Sequence, residues 1–423
     1  MVVGSTNRSS AIRPQVALSI GGLAAMLGSL DTAVNIGFPD LTSDLDLGVD
    51  AVQWIVVSYV LTYTCLLVGA GRIVDLVGHR TMLVWGLAIS SASFLATAAT
   101  PSFILLLGAR ALQGVGVAIV LVAAPAMITV SVPPQTRGRG LGLFQMSAAV
   151  GLALGPLVGG GLVEVFGWRS VFWFRFPLAV VLLWAVLWFV PSKPTTSRKA
   201  ARLDSAPFRH AGFWIANGLN TVANGSMFGI WVLVPYYTTK VLNIGPVVGG
   251  VLLMVVPAST ACMAPIAGWV SDRCGGAQLV VVGLLIESAG LLTLGTVGAG
   301  SSLGHVSVGL AAVGVGLGLF GVPNMNYVMG LLSAKDQGLA AGASQMARTV
   351  GVVIGVFTAT ALFNRQEQVY VRLLGVEVGS AASFVPAFQD MFIVASIVCF
   401  AGAIVSVVAS VWRVSPSLIR SRM

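Results

Sequence analysis

Two short stretches decide the fold: GRIVDLVGHR at residues 71–80 and GWVSDRCGG at residues 268–276. Both read Gly-x-x-x-Asp-x-x-Gly, and each stands between two long apolar runs. Such a string recurs by chance. Recurrence at the same place in two successive sets of six apolar runs points to an internal repeat.

The runs themselves set the class. A membrane span needs about 20 mostly apolar residues. Twelve qualify, at 14–38, 51–71, 80–99, 103–129, 138–163, 170–190, 211–236, 246–270, 277–299, 304–332, 338–363 and 386–412. The loops quoted above follow the second and the eighth. The 423 residues are 57% hydrophobic and only 9% charged, whereas soluble domains carry about 25% charged residues. Glycine contributes 51 residues, and small residues let helices in lipid approach closely. The expected architecture is an all-α membrane protein: a six-helix bundle at 1–190, a basic linker at 191–209 and a second six-helix bundle at 210–423.

Charge placement gives orientation. The net charge is +9 and the pI about 9.9. The basic residues sit in short loops, which fits the positive-inside rule better than nucleic-acid binding. Sixteen lie on one side, the linker's Lys193, Arg198, Lys199, Arg202 and Arg209 among them, and four on the other. Both termini and the linker are therefore expected in the cytoplasm of an inner membrane. The N-terminal run continues past Asp31 without a convincing cleavage site and reads as an uncleaved first helix. Cys65, Cys262, Cys274 and Cys399, and His79, His210 and His305, show no metal or disulfide spacing. No Gly-Lys-Ser phosphate loop and no nucleophile elbow is present, so neither ATP drive, a cofactor nor an enzyme is expected.

Five motifs carry a resemblance to the major facilitator superfamily, and within it to drug:proton antiporters. GRIVDLVGHR resembles the signature loop after helix two, with Gly71, Asp75, Gly78 and Arg80 in place and Leu76 where arginine is frequent. RALQGVGVA (110–118) is similar to the helix-four motif, GLALGPLVGGG (151–161) to the helix-five antiporter motif, and LDTAVNIGFP (30–39) to the helix-one motif of fourteen-helix exporters. WRSVFWFRFP (168–177) resembles the start of that group's sixth helix, with Arg175 in place of asparagine. The layout, with one short linker, is that of twelve-helix exporters. The resemblance implies a monomeric transporter that exports a small amphipathic compound in exchange for protons. Its bundles would rock about a midplane cavity built from spans one, four, seven and ten. Importers share the fold, and the helix-five motif argues for export. It is also implied that Gly151, Gly155, Pro156, Gly159 and Gly160 kink and pack helix five where the two bundles meet. Asp75, with its loop, and Gly268, Asp272 and Arg273 in the second loop are implied to latch the inner gate. Loop chemistry allows these acids to cap a following helix or to pair with Arg80 or Arg273.

Depth along the helices selects the charged candidates. Asp31 lies seven residues from the outer end of span one and Arg110 seven from that of span four. At about 1.5 Å per residue both sit roughly 10 Å below the surface. Charges in lipid are tolerated when paired or facing water, so Asp31 is the expected proton carrier and Arg110 its partner. Glu287 lies near the middle of span nine and is a second candidate. Arg348, within QMARTVGVVIG, either pairs with Glu287 or lines the cavity. Arg175 sits close enough to the outer end of span six to snorkel. Asn217, Asn220 and Asn224 share one face of span seven. They are expected, with Asn35, Gln113, Asn324, Asn326 and Tyr327, to wall the substrate cavity. Trp54 and Tyr59 fall at aromatic positions of the resembling family.

Overall fold

The computed structural model describes residues 13–46, 50–191, 210–244 and 246–420. The basic linker therefore lies, but for Pro191, outside the described residues. The chain divides into two units. One comprises 1–204 with 332–343, and the other 205–331 with 344–423. Every regular element among the described residues is helical.

In the first unit, α1 (Pro14–Ser29) opens with a proline, whose missing N–H is no loss in a first helical turn. It tightens into a 3₁₀ segment at Leu30–Gly37 and continues as α2 (Phe38–Asp44). Then follow α3 (Asp50–Val77), α4 (His79–Ala99), α5 (Phe103–Ser131), α6 (Arg137–Phe166) and α7 (Ser170–Phe189). Gly78, at φ +100°, makes the turn between α3 and α4 that a side chain would strain. Here α5 packs on α3, α4 and α1, α4 on α7, and α1 on α6.

The second unit repeats this pattern. It holds α8 (Ala211–Ser226), α9 (Gly229–Tyr236), α10 (Pro246–Cys274), α11 (Ala277–Leu294), α12 (Leu303–Leu331), α13 (Gln337–Leu374) and α14 (Ala381–Arg420). Residues 337–343 of α13 count with the first unit. The partners correspond: α12 packs on α10, α11 and α8, and α11 on α14.

Two boundaries differ from the sequence reading. The span expected at 211–236 is broken between α8 and α9, and a π turn follows at Tyr237–Val241. Pro235, lacking an N–H, disturbs the local hydrogen-bond ladder. Eleven of the described helical stretches are individually long and apolar enough to cross a membrane, and the broken segment makes the twelfth. The polar stretch expected from 364 does not end α13, which runs on to Leu374 and stops before Gly375 at φ +65°. Arg, Gln and Glu end a span but are good helix formers.

In lipid the hydrophobic drive between helices is weak, and close contact replaces it. A Cβ on Gly116 would sit 2.8 Å from the Ser90 nitrogen, and one on Gly316 2.5 Å from the Glu287 nitrogen. These sites fix the α4–α5 and α11–α12 crossings. The second unit adds an aromatic ladder of Phe363, Phe384, Phe388 and Phe392. Tyr237 stacks on Phe388 and donates to the Gly298 carbonyl at 2.7 Å.

Candidate functional site: a carboxylate held by two arginines

The 3₁₀ segment places Asp31 where α1 leaves its regular path, opposite one face of α5. Arg110 grips the carboxylate with both ends of its fork, Nη1 to Oδ1 at 2.8 Å and Nη2 to Oδ2 at 2.9 Å. One turn on, Gln113 donates from Nε2 to Oδ1 at 2.8 Å and accepts from Arg110 Nη1 at 2.8 Å. Arg110 Nε donates to the Ile55 carbonyl at 3.3 Å, and Tyr59 lies under the guanidinium, 4.4 Å from ring centre to Cζ. All donors of Arg110 that face protein are thus engaged, and the residue is 2% exposed. The depth match between Asp31 and Arg110 is a direct bidentate pair. Asp31 is the part nearest solvent, with 15% of its side chain exposed.

Arg175 corrects the sequence reading. It does not snorkel: it is fully buried, and its Nη1 donates to Asp31 Oδ1 at 2.7 Å. Phe94 covers one face of its guanidinium, 4.3 Å from Cζ. A charge at this depth finds a fixed counter-charge inside the bundle, which a flexible reach to the surface cannot better. One carboxylate therefore faces two arginines. Arg175 Nε and Nη2 are buried without an acceptor.

At the α3–α4 turn, Asp75 holds the start of α13. Its Oδ1 and Oδ2 accept from the backbone N–H groups of Gly338 (2.7 Å) and Leu339 (2.9 Å), the first turn of α13. The helix end supplies unpaired amides and a partial positive charge. Gly71 permits this approach, since any Cβ there would strike the Gly338 carbonyl. Arg72 pairs with Asp336 at 3.3 Å, and Arg80 donates to the Leu187 carbonyl at 3.0 Å, so it does not pair with Asp75. In the second loop Gly268 is buried, Asp272 half-buried and Arg273 exposed over the Trp269 ring at 3.8 Å.

The helix-five glycines pack within the first unit. A Cβ on Gly151 would meet the Met26 carbonyl at 2.5 Å, one on Gly155 would strike Thr32 Oγ1, and one on Gly159 would meet the Ala33 carbonyl at 2.7 Å. The stripe seats α6 on α1 and the 3₁₀ segment that carries Asp31. Gly160 has open space, and Pro156 sits inside the unbroken helix. The sequence reading missed the counterpart two hundred residues on. Gly351 and Gly355 seat α13 on α8, where a Cβ would strike the carbonyls of Thr221 and Gly225.

In the second unit the three asparagines of α8 share a face and are mostly buried. Each is 7% exposed. Asn220 donates to the Ser344 carbonyl at 2.8 Å, Asn217 to Phe213 and Asn224 to Asn220. Amides buried in lipid need acceptors, and helix carbonyls supply them. Asn324, Asn326 and Tyr327 line an open cavity of about 490 Å³, together with Ala216, Ser271 and Ser406. Glu287 is fully buried with neither oxygen partnered, so it does not pair with Arg348, which is half-buried on α13. Asn35 and Trp54 are exposed, and Tyr59 is buried under Arg110.

A repeated bundle of apolar helices, one copy of which holds a buried charge cluster, fits a membrane transporter. The profile of the Major Facilitator Superfamily matches residues 20–356 and 213–420, and the chain belongs to that family. Its members are transporters, not enzymes. The chain is 22% identical to the riboflavin transporter RibZ of Clostridioides difficile, over 93% of this chain and 96% of that protein. It is 25% identical to the multidrug resistance protein Stp of Mycobacterium tuberculosis, over 79% and 73%. It is 26% identical to the tetracenomycin C resistance and export protein of Streptomyces glaucescens, over 82% and 76%. The fold is shared with the human organic anion transporter MFSD10 (TETRAN), at TM-score 0.70 and 16% identity over 91% of this chain and 99% of that one.

Proposed function

We propose that this chain exports small amphipathic compounds by alternating access, driven by protons entering through Asp31. The observation that carries the reading is the ionic grip on Asp31: a membrane-buried carboxylate that is still part-exposed and whose loss of charge undoes a bidentate arginine pair. A proton arriving from outside would neutralise Asp31 and free Arg110. Release of that proton would rebuild the pair and return the protein to its starting state. Glu287, a second buried carboxyl without a partner, is a further proton site under this reading. No ATP and no cofactor enters the cycle. The protein works as a monomer in a cell inner membrane, with both termini and the basic linker in the cytoplasm, an orientation that the excess of basic residues on one side supports. Relatives named for resistance and export support the outward direction. The riboflavin relative supports a cargo range wider than drugs.

The test is efflux of a panel of fluorescent amphipaths from cells expressing the chain, with and without a protonophore, in wild type and Asp31→Asn. Protonophore-sensitive export that disappears in the variant is expected. Proton-coupled efflux retained by Asp31→Asn sinks the assignment of Asp31. Proton-driven uptake in place of efflux makes the protein an importer.

A further inference from the structure

The Asp31 cluster is not neutral. Among the described residues Asp31 is the sole carboxylate paired with either Arg110 or Arg175, so two cations share one anion. The shares are unequal. Arg110 and Gln113 saturate Asp31 from α5, with three of the four hydrogen bonds that the carboxylate accepts. Arg175 holds on by Nη1 alone. Its other two nitrogens, Nε and Nη2, are buried without an acceptor.

Those two nitrogens form one edge of the guanidinium. That edge is a planar fork of two parallel N–H groups, the geometry that binds a carboxylate or another oxyanion bidentately. The fork is held in place. Nη1 is tied to Asp31, and the Phe94 ring centre lies 4.3 Å from Cζ. Orphan donors buried in an apolar setting carry a free-energy penalty that an incoming acceptor removes. A surplus cation in lipid carries a larger one. The Phe94 ring offsets only part of the second cost, and an anion at the fork relieves both.

We propose that Arg175 is the anchor for an anionic group of the cargo, so that the transported compound is an amphipathic organic acid. The inference rests on the proposed transport reading and names its substrate class. The fork closes on the acid, and the apolar remainder of the cargo needs no charge partner. The tether from Nη1 to ionised Asp31 orients the fork. Protonation of Asp31 removes the tether, so proton and acid use the cluster in alternation. An acid leaving the cell also moves down a membrane potential that is negative inside, in the same electrical sense as a proton entering.

The test uses three fluorescent congeners that differ only in charge: 1-pyrenebutyrate, 1-pyrenebutyramide and 1-pyrenebutylamine. Binding to the purified full chain in lipid nanodiscs is read by fluorescence polarisation at neutral pH. Wild type is expected to bind the acid at least about tenfold more tightly than the amide, the scale of one charge-assisted bidentate contact. The amine is expected to bind more weakly still. Arg175→Asn removes the preference for the acid while leaving amide binding in place. Arg175→Lys keeps the charge without the fork and gives a reduced preference. A merely structural arginine would weaken all three probes together. Equal affinity of wild type for acid and amide, no measurable binding of either, or an acid preference that survives Arg175→Asn overturns the proposal. If Arg175→Asn does not yield monodisperse protein, the wild-type acid-to-amide ratio and the lysine variant decide alone. Efflux of pyrenebutyrate with and without a protonophore separates this outcome from the proton reading, because binding preference does not depend on coupling.

Discussion

Replacing Asp31 by asparagine should destabilise the protein, and removing Arg175 as well should restore part of the loss. Asp31 accepts four hydrogen bonds from three side chains, two of them guanidinium groups. Breaking a buried ion pair by removing one partner costs about 3–5 kcal/mol. Asparagine keeps one accepting oxygen, and 15% of the Asp31 side chain is exposed. The lower end, about 3 kcal/mol, is therefore expected. Arg175→Asn alone breaks one charge-assisted bond and leaves the Asp31–Arg110–Gln113 pair whole, at a cost of about 1 kcal/mol. In the Asp31→Asn background the same change removes one of two buried cations that have lost their counter-charge. It should then stabilise, by about 1 kcal/mol, giving a coupling of about 2 kcal/mol for the cycle. The assay is the unfolding midpoint of the four proteins in mixed micelles, followed by tryptophan fluorescence at fixed detergent concentration. A double variant weaker than Asp31→Asn by the full cost of the single Arg175 change refutes electrostatic coupling. Arg175 would then be held by packing on Phe94 alone.

Three further outcomes are expected. Gly155→Leu and Gly355→Leu should each abolish monodisperse protein in size-exclusion profiles, since overpacking at a helix crossing costs about 1–3 kcal/mol or more, while Gly160→Ala, with open space around it, should behave as wild type. Asp75→Asn should retain folding and lower transport. It weakens two charge-assisted bonds to the start of α13, by about 1 kcal/mol in all, read as a lower efflux rate at unchanged protein level. Asp44, the last residue of α2, accepts from Trp168 Nε1 at 3.1 Å and from Arg169, and these bonds, that from Trp168 first, hold its carboxyl below the usual carboxylate range. A depressed folded value means that the clip is complete above about pH 4 and is lost as pH falls through the folded value. Acidification should change Trp168 emission in wild type and leave Asp44→Asn unmoved.

Much of this was legible because lipid makes sequence patterns strict. The apolar runs marked the helices, and the twin loops marked the repeat. A count of residues from the helix ends brought Asp31 and Arg110 to one depth. The same count applied to Arg175, five residues into α7 from Ser170, would have put it near that depth too. A long side chain near a helix end has an alternative in the headgroups, and sequence does not show that Phe94 and Asp31 close that route. The α8 asparagines carry a related ambiguity. Three amides on one face signal a polar environment, and helix carbonyls, that of Ser344 for Asn220 and those of α8 itself for Asn217 and Asn224, satisfy that signal as well as water does.

Two further contacts that escaped the sequence reading end on backbone groups across long separations. Asp75 finds two amides more than 260 residues away, and Gly351 and Gly355 meet the α8 carbonyls across more than 120. Backbone groups carry no sequence label, so only geometry reveals which carboxylate uses which helix end. The repeat supplies what the label does not. Gly151 and Gly155 seat α6 on the segment bearing Asp31, and Gly351 and Gly355, each two hundred residues on, seat α13 on α8. Yet the first unit places a carboxylate and two arginines beyond its glycine stripe, whereas α8 presents neutral asparagines beside its own. Two halves with one packing rule thus differ in charge. Under the proposed function the arginine-paired carboxylate of the first unit is the principal ion site, and the second unit adds buried Glu287 and a cavity lined by Asn324, Asn326 and Tyr327. Arg110→Ala should accordingly cost far more transport than Asn220→Ala at matched protein levels in the same efflux assay, and equal losses would show that the charge asymmetry has no functional meaning.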